Sequence, residues 1–247
     1  MSTRLAPFFA CLCLALAPAL AAAPASAQAG NPFARFEAHD ADSGTRIDYN
    51  AWSEILQGVV FDVGISDRRI GRGRTVQTAT RIDDGNRSRY RNEANRVVYH
   101  LLNDQQKAAI GAYRAELEAL PQQVRLSRLS RDEQLAYWIN LHNVVIIDEI
   151  AQQYPHRYVD RLRPRGADGF LHDADIITVD GVAMSPNDIR FNIVARYWDD
   201  PRVMYGFFSG AVGGPSLRDE AFTGRNVWAL LDRAAREYVN ALRGVET

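Results

Sequence analysis

LSRDEQLAYWINLHNVVIIDEI, residues 129–150, is the stretch whose reading decides the fold. Ser130 is followed three residues later by Glu133, the spacing of a capping box in which the serine oxygen takes an orphan amide and the glutamate reaches back. Asp132 and Glu133 lie where the positive end of a helix dipole favours carboxylates. The apolar residues that follow, Leu135 to Ile150, cover more than one face. The spacing therefore predicts a helix buried on most sides rather than one lying on a surface. At 1.5 Å rise per residue its length is roughly 30 Å, about one small-domain diameter. Asn140, His142, Asn143, Asp148 and Glu149 interrupt it, which argues against a membrane span.

Those interruptions carry the functional question. A central helix cannot send Asn140, His142 and Asn143 all to solvent, and a buried polar group without a partner costs about 1–3 kcal/mol. One reading is a satisfied core network that fixes how strands or loops dock on the helix. The other is that the three groups face a site. Buried polar groups serve structure more often than catalysis.

The motif LAYWINLHN resembles the central motif of the domain-of-unknown-function 547 family, a group with no established biochemical activity. The resemblance extends to RIDYNAW (Arg46–Trp52) before it. After it come SPNDIRFNIV (Ser185–Val194), DPRVMYGFFSGAVGGPSLRDEAF (Asp200–Phe222) and a terminal helix. It covers most of the chain after residue 27. Typical relatives carry a histidine and two cysteines where this chain has Met204, Ser209 and Gly214, so thiol or metal chemistry inferred for them does not carry over. An analogy to papain-like or transglutaminase-like hydrolases has no thiol here to realise it.

The first residues read as a secretory signal peptide. Arg4 precedes the apolar run Leu5–Ala23, and Ala25-Ser26-Ala27 is a small-residue cleavage pattern, so the cut is expected between Ala27 and Gln28. Cys11 and Cys13 are the only cysteines. A mature chain of residues 28–247 would then have no disulfide, no thiolate metal site and no cysteine nucleophile. It is long enough to build one ordinary core without staples. Removing Arg4 from 29 basic residues leaves 28 against 30 acidic ones, a balance that gives no argument for nucleic acid. Lys107 is the sole lysine, so any anion would meet guanidinium forks.

Along the chain, Gln28–Asp42 reads as a flexible lead-in. Trp52, Ile55, Leu56 and Val59 space a helix over 51–60. The polar block Ser66–Arg96, arginine-rich from residue 68, reads as a solvated loop or hairpin, with an anion-binding rim as the alternative. Val97–Leu102 is a short apolar run. Asp104 is expected to cap a helix over 105–120 with Ile110, Tyr113, Leu117 and Leu120 on one stripe, ended by Pro121. His156–Phe170 is a loop. Ile176–Val179 and Val182–Met184 flank Asp180-Gly181, a strong hairpin signal. Ser185-Pro186 starts a further helix. Val203–Phe208 reads as a buried strand. Thr223 is expected to cap a last helix with Val227, Leu230, Leu231, Ala234, Tyr238 and Leu242 inward, stopped by Gly244.

For chemistry, Gly210, Gly213 and Gly214 let the backbone approach a ligand or neighbour closely. The turn has neither the lysine of a phosphate-binding loop nor a dinucleotide spacing, and Ser209 sits in no nucleophile elbow. Packing of the turn on the central helix is its simpler role. Ser209 and His142 are the nucleophile and base that could be assembled into a catalytic site, with Asn140 and Asn143 near His142 in sequence. His156, Asp160, His172, Asp173 and Asp175 form a loose group without regular ligand spacing, so no metal and no cofactor is expected.

The expected fold is α+β: one mostly helical domain, residues 28–247, around a buried central helix with a small antiparallel sheet. The expected role is that of a periplasmic or secreted protein, a non-catalytic binding or scaffold domain for an unknown envelope ligand or protein. The alternative is a hydrolase or transferase using Ser209, His142 and the asparagines. No transmembrane segment is expected after signal cleavage.

Overall fold

The computed structural model of the protein describes residues 30–66, 68, 90 and 93–244. The chain divides into two compact units, Met1–Asn31 and Pro32–Thr247. The first is described only at Gly30 and Asn31, and the secondary structure described belongs to the second. The segment read as a signal peptide and most of the polar block 66–96 lie outside the described residues.

The central helix is α3, Arg131–Gln153. Every residue from Glu133 to Asp148 is buried, on all faces, as the all-round apolar pattern predicts. Ser130 caps it, its Oγ accepting the Glu133 amide at 3.3 Å. The Glu133 carboxylate goes elsewhere than the reciprocal half of a capping box. It accepts the backbone amides of Ile47 and Gly224, each at 3.1 Å. A fully buried carboxylate thereby ties two distant segments to the first turn of α3, where the helix dipole also favours it.

Helix α1, Asn50–Val59, buries Trp52, Leu56 and Val59. Helix α2, Asp104–Ala119, buries Ile110, Tyr113 and Leu117. Trp52 stacks on Tyr113 at 5.4 Å between ring centres, which docks α1 on α2. The cap of α2 is Asn103 rather than Asp104: Asn103 Oδ1 accepts the Gln106 amide at 2.8 Å, and Gln106 Oε1 accepts the Asn103 amide at 3.0 Å. Asp104 is already in the first turn, where its charge suits the dipole. Arg114 then pins α2 to α3 through Asp148 at 3.0 Å and Glu149 at 2.8 Å, and reaches the Ile176 carbonyl.

Two small antiparallel sheets complete the α+β architecture in place of the one expected. Strands β1 (Val60–Phe61) and β2 (Arg96–Val97) pair, as do β3 (Ile177–Val179) and β4 (Val182–Met184). Asp180 and Gly181 at the second turn have φ of 50° and 77°, the two positive values that such a two-residue hairpin needs.

Two further expectations need correcting. The described part of the lead-in is structured: Pro32–Phe36 is a 3-10 helix that buries Phe33 and Phe36. Phe36 meets the edge of Trp138 at 5.0 Å, and Gln134 Nε2 donates to the Ala38 carbonyl at 2.7 Å. The aromatic run expected as a strand is mostly a 3-10 helix, Pro201–Gly206, capped by the Asp200 carboxylate on the Arg202 amide at 2.9 Å. Proline at its start suits a helical turn, and the apolar residues reflect burial rather than an extended backbone. The helix expected after Ser185 is present, with Ser185 Oγ accepting the Asp188 amide at 3.1 Å; it runs through π-helical turns over Asp188–Val194 into the short α4, Ala195–Tyr197.

The last helix, α5, runs Val227–Asn240 and buries Val227, Leu230, Leu231 and Ala234. Thr223 shapes the turn before it, exchanging two side-chain-to-amide bonds with Asn226, the residue at the cap position. It ends before Leu242 and Gly244. No helix among the described residues is long and apolar enough to cross a membrane.

Candidate functional site

The polar side chains of α3 grip backbone. Asn140 Nδ2 donates to the Phe222 carbonyl at 2.7 Å, and its Oδ1 accepts the Phe222 amide at 3.1 Å. Asn143 Nδ2 donates to the Gly206 carbonyl at 2.9 Å, and its Oδ1 accepts the Phe208 amide at 2.9 Å. Both amides are satisfied at both ends, and both side chains are buried. Tyr137 Oη likewise donates to the Leu117 carbonyl at 3.0 Å.

His142 differs from its neighbours. It is wholly buried, its Nδ1 lies 3.1 Å from Asn143 Oδ1, and its ring meets the Phe207 ring edge-on at 4.9 Å. Its Nε2 is buried without a partner. Burial lowers its pKa from 6.5 to about 3, with Arg190 and His172 adding to the same effect against the hydrogen bond to Asn143. The imidazole is therefore neutral across the physiological range. Two further buried nitrogens lack partners nearby in the electrostatic sense: His172 Nδ1, and the Nε of Arg190, whose pKa burial also lowers.

Ser209 is half-buried, and its Oγ accepts the Ala211 amide at 3.4 Å, a contact within its own turn. No hydrogen bond joins it to His142 among the described residues; the histidine beside its backbone is His172. Gly210 has φ of 78°, and a Cβ there would stand 2.6 Å from Ile150 Cδ1 and 2.8 Å from Val159 Cγ1. Close packing on α3 thus requires this glycine. Gly213 faces open space, and its carbonyl accepts the Tyr238 hydroxyl at 3.1 Å. A Cβ on Gly214 would lie 3.3 Å from Ser209 Cβ. Gly210 also lines a small recess of about 170 Å³ with Tyr99 and Phe208.

Of the loose His/Asp group, His156, Asp160, Asp173 and Asp175 are exposed and His172 is half-buried. Asp173 accepts the Asn187 side-chain amide at 2.7 Å. Among the described residues no three His, Cys, Asp or Glu side chains converge to hold a metal.

A residue that sequence reasoning passed over is Arg218. It is only 9 % exposed and lines a cleft of about 670 Å³ between residues 62–65 and α5. Its local sequence, SLRDE, reads as an ordinary solvated charge run, and burial by distant segments leaves no local trace. The capping-box spacing of Glu133 likewise gives no sign of its contacts with Ile47 and Gly224.

These contacts define a class: a helical α+β domain whose buried central helix holds the surrounding loops through its own polar side chains. Residues 126–239 match the model of a family described as "Protein of unknown function, DUF547", and the chain belongs to that family through this stretch. The match includes α3, the Ser185–Val194 motif and the Asp200–Phe222 motif, whereas RIDYNAW precedes it, joined to α3 by the bond from the Ile47 amide to Glu133. No curated protein and no solved structure matches the chain.

Proposed function

We propose that the protein is exported and serves in the cell envelope as a non-catalytic binding or scaffold domain. The observation that carries this reading is the double engagement of Asn140 and Asn143. Each uses donor and acceptor on backbone groups of the 206–208 and 222 segments, so neither amide is left to orient a substrate. Export is supported by the Leu5–Ala23 apolar run and the Ala25-Ser26-Ala27 pattern.

The test pairs unfolding free energy with ligand response for Asn140→Ala and Asn143→Ala. Large destabilisation of both agrees with the reading, while unchanged stability with lost binding or turnover overturns it. N-terminal sequencing of protein from the native host tests export: a start near Gln28 is expected, and stable protein with Met1 intact overturns that part. The alternative, a hydrolase or transferase, draws on the partnerless buried nitrogens of His142 and His172. It requires Ser209→Ala to abolish turnover of an envelope substrate.

A further inference from the structure

Arg218 is a buried cation that, among the described residues, has nothing to neutralise it at contact distance. Among the described residues it makes no hydrogen bond and no ion pair, and its Nε is buried without a partner. Such a group is strongly unfavourable, since the desolvation of a guanidinium goes unrepaid. Burial lowers its pKa and the nearby Arg233 adds to that, against the opposing charges of Glu237, Asp219 and Asp62.

Most of the acids around it are engaged elsewhere; Asp219 and the buried, partnerless Glu237 Oε2 act on it only through space, without a hydrogen bond or ion pair to it. Asp232 pairs with Arg236 at 2.9 Å and lies 3.7 Å from Arg202. Glu237 accepts from Arg243 and from Ser216 Oγ at 3.1 Å. Asp62 Oδ1 accepts the Gly64 amide at 2.8 Å. Arg233, 57 % exposed at the rim, has only a 3.5 Å contact to Glu220. The remaining walls include Ala229 and Ile65, the latter 89 % exposed. The volume of about 670 Å³ suits a small molecule rather than a lone ion.

We infer that this cleft binds a small molecule through an oxyanion, carboxylate or phosphate, seated on Arg218 and Arg233, with an apolar body along Ile65 and Ala229. A guanidinium fork matches both anions with paired donors. The site stands apart from export and from the question of catalysis, because it shares no residue with the α3 clamps or the Ser209 turn.

Thermal unfolding of the full chain, titrated with inorganic phosphate and with succinate at fixed ionic strength against chloride, tests it. A ligand of the native state raises the melting temperature with concentration. One or both probes are expected to do so, and which one identifies the anion. Arg218→Gln should weaken the apparent affinity roughly tenfold or more, and Arg233→Gln about threefold. Without ligand, Arg218→Gln should melt at the same or a higher temperature, an outcome that a purely structural arginine would not give. Absence of any rise beyond chloride overturns the inference, as does an equal rise in both variants. Should Arg218→Gln not fold, the rim variant decides: unchanged affinity in Arg233→Gln overturns the site, and weakened affinity supports it.

Discussion

Asn140 serves Phe222 as a strand partner would. Its carboxamide donates to the Phe222 carbonyl at 2.7 Å and accepts from the Phe222 amide at 3.1 Å, the reciprocal pair made by opposed residues of an antiparallel ladder. Three residues along the helix, Asn143 bridges the Gly206 carbonyl and the Phe208 amide, the pattern of a parallel ladder. Two buried loops thus meet their backbone hydrogen-bonding needs from helix side chains, without a sheet beside them. Asn140→Ala strands both Phe222 groups, at about 1–3 kcal/mol each. Equilibrium urea unfolding should show the loss, and Asn140→Asp, which keeps only the acceptor, should also be destabilised.

His142 makes stability depend on pH. Its folded pKa, about 3, lies below the unfolded 6.5, so between these values the unfolded chain binds more protons. Stability from this group is full above about pH 6.5 and is lost as pH falls towards 3, by up to about 1.4 kcal/mol per pH unit. His142→Phe keeps a ring against Phe207 and removes the partnerless Nε2. The variant should match or exceed the parent in stability at pH 5 and show a flatter profile between pH 6 and 4. A residual slope is expected from His172, whose pKa burial also lowers. Denaturation midpoints across that range measure both.

The glycine turn should split into demanding and tolerant positions. Gly210→Ala places a Cβ 2.6 Å from Ile150 Cδ1 at a φ of 78°, a combined strain and overpacking cost of about 2–4 kcal/mol. Gly213→Ala meets nothing within 4 Å and should stay within about 0.5 kcal/mol of the parent. Thermal unfolding of the two variants gives the contrast. A turn built chiefly to cradle a ligand would instead show little stability change at either position.

What was legible in the sequence was whatever local periodicity encodes. The 3.6-residue spacing of Ile110, Tyr113 and Leu117 located α2, the unbroken apolar cover of Leu135–Ile150 predicted burial of α3 all round, and Asp180-Gly181 located its hairpin. What failed was decided at long range. The aromatic run 203–208 has strand composition, yet only its end, with Phe207 at φ −94° and ψ 113°, is extended; Asn143 occupies the place of the missing neighbour strand. Glu133 has a cap's spacing, but tertiary contact brings Ile47 and Gly224 to its carboxylate. Of the candidate site residues, the asparagines were correctly singled out as buried polar groups. Arg218 was not, because nothing within a few residues of it distinguishes a buried arginine from a solvated one.

Ile146 lies at the middle of the fully buried run, and its Cγ2 would be 3.5 Å from a Cβ on Gly210. Ile146→Ala should cost about 2–5 kcal/mol, the range for opening a cavity in a packed core. An unchanged chemical denaturation midpoint would mean that α3 is not the core.

Ser209 and Gly214 face each other across the glycine turn, and the structure explains what that pair can do here. A Cβ on Gly214 would lie 3.3 Å from Ser209 Cβ and closer still to its Oγ. That is a little closer than the 3.5–4.5 Å or so between the Cβ atoms of a disulfide, so a bridge needs the turn to open by only about a few tenths of an ångström. Gly214 is not among the positive-φ glycines, so a side chain there is not excluded by its backbone. The double variant Ser209→Cys, Gly214→Cys should therefore oxidise spontaneously. Closing so short a loop contributes about 2 kcal/mol at most in the chain-entropy account. Peptide mapping after alkylation, without and with reductant, measures the bond and separates it from Cys11 and Cys13. A bridge that forms, with the Asn143 grip on Gly206 and Phe208 unaltered, would show that this turn is held from one side by the helix and can be closed from the other. Thiols that remain free in air would mean that the 209–214 turn opens further than its hydrogen bonds, Ala211 amide to Ser209 Oγ and Gly214 amide to Ala211 carbonyl, allow.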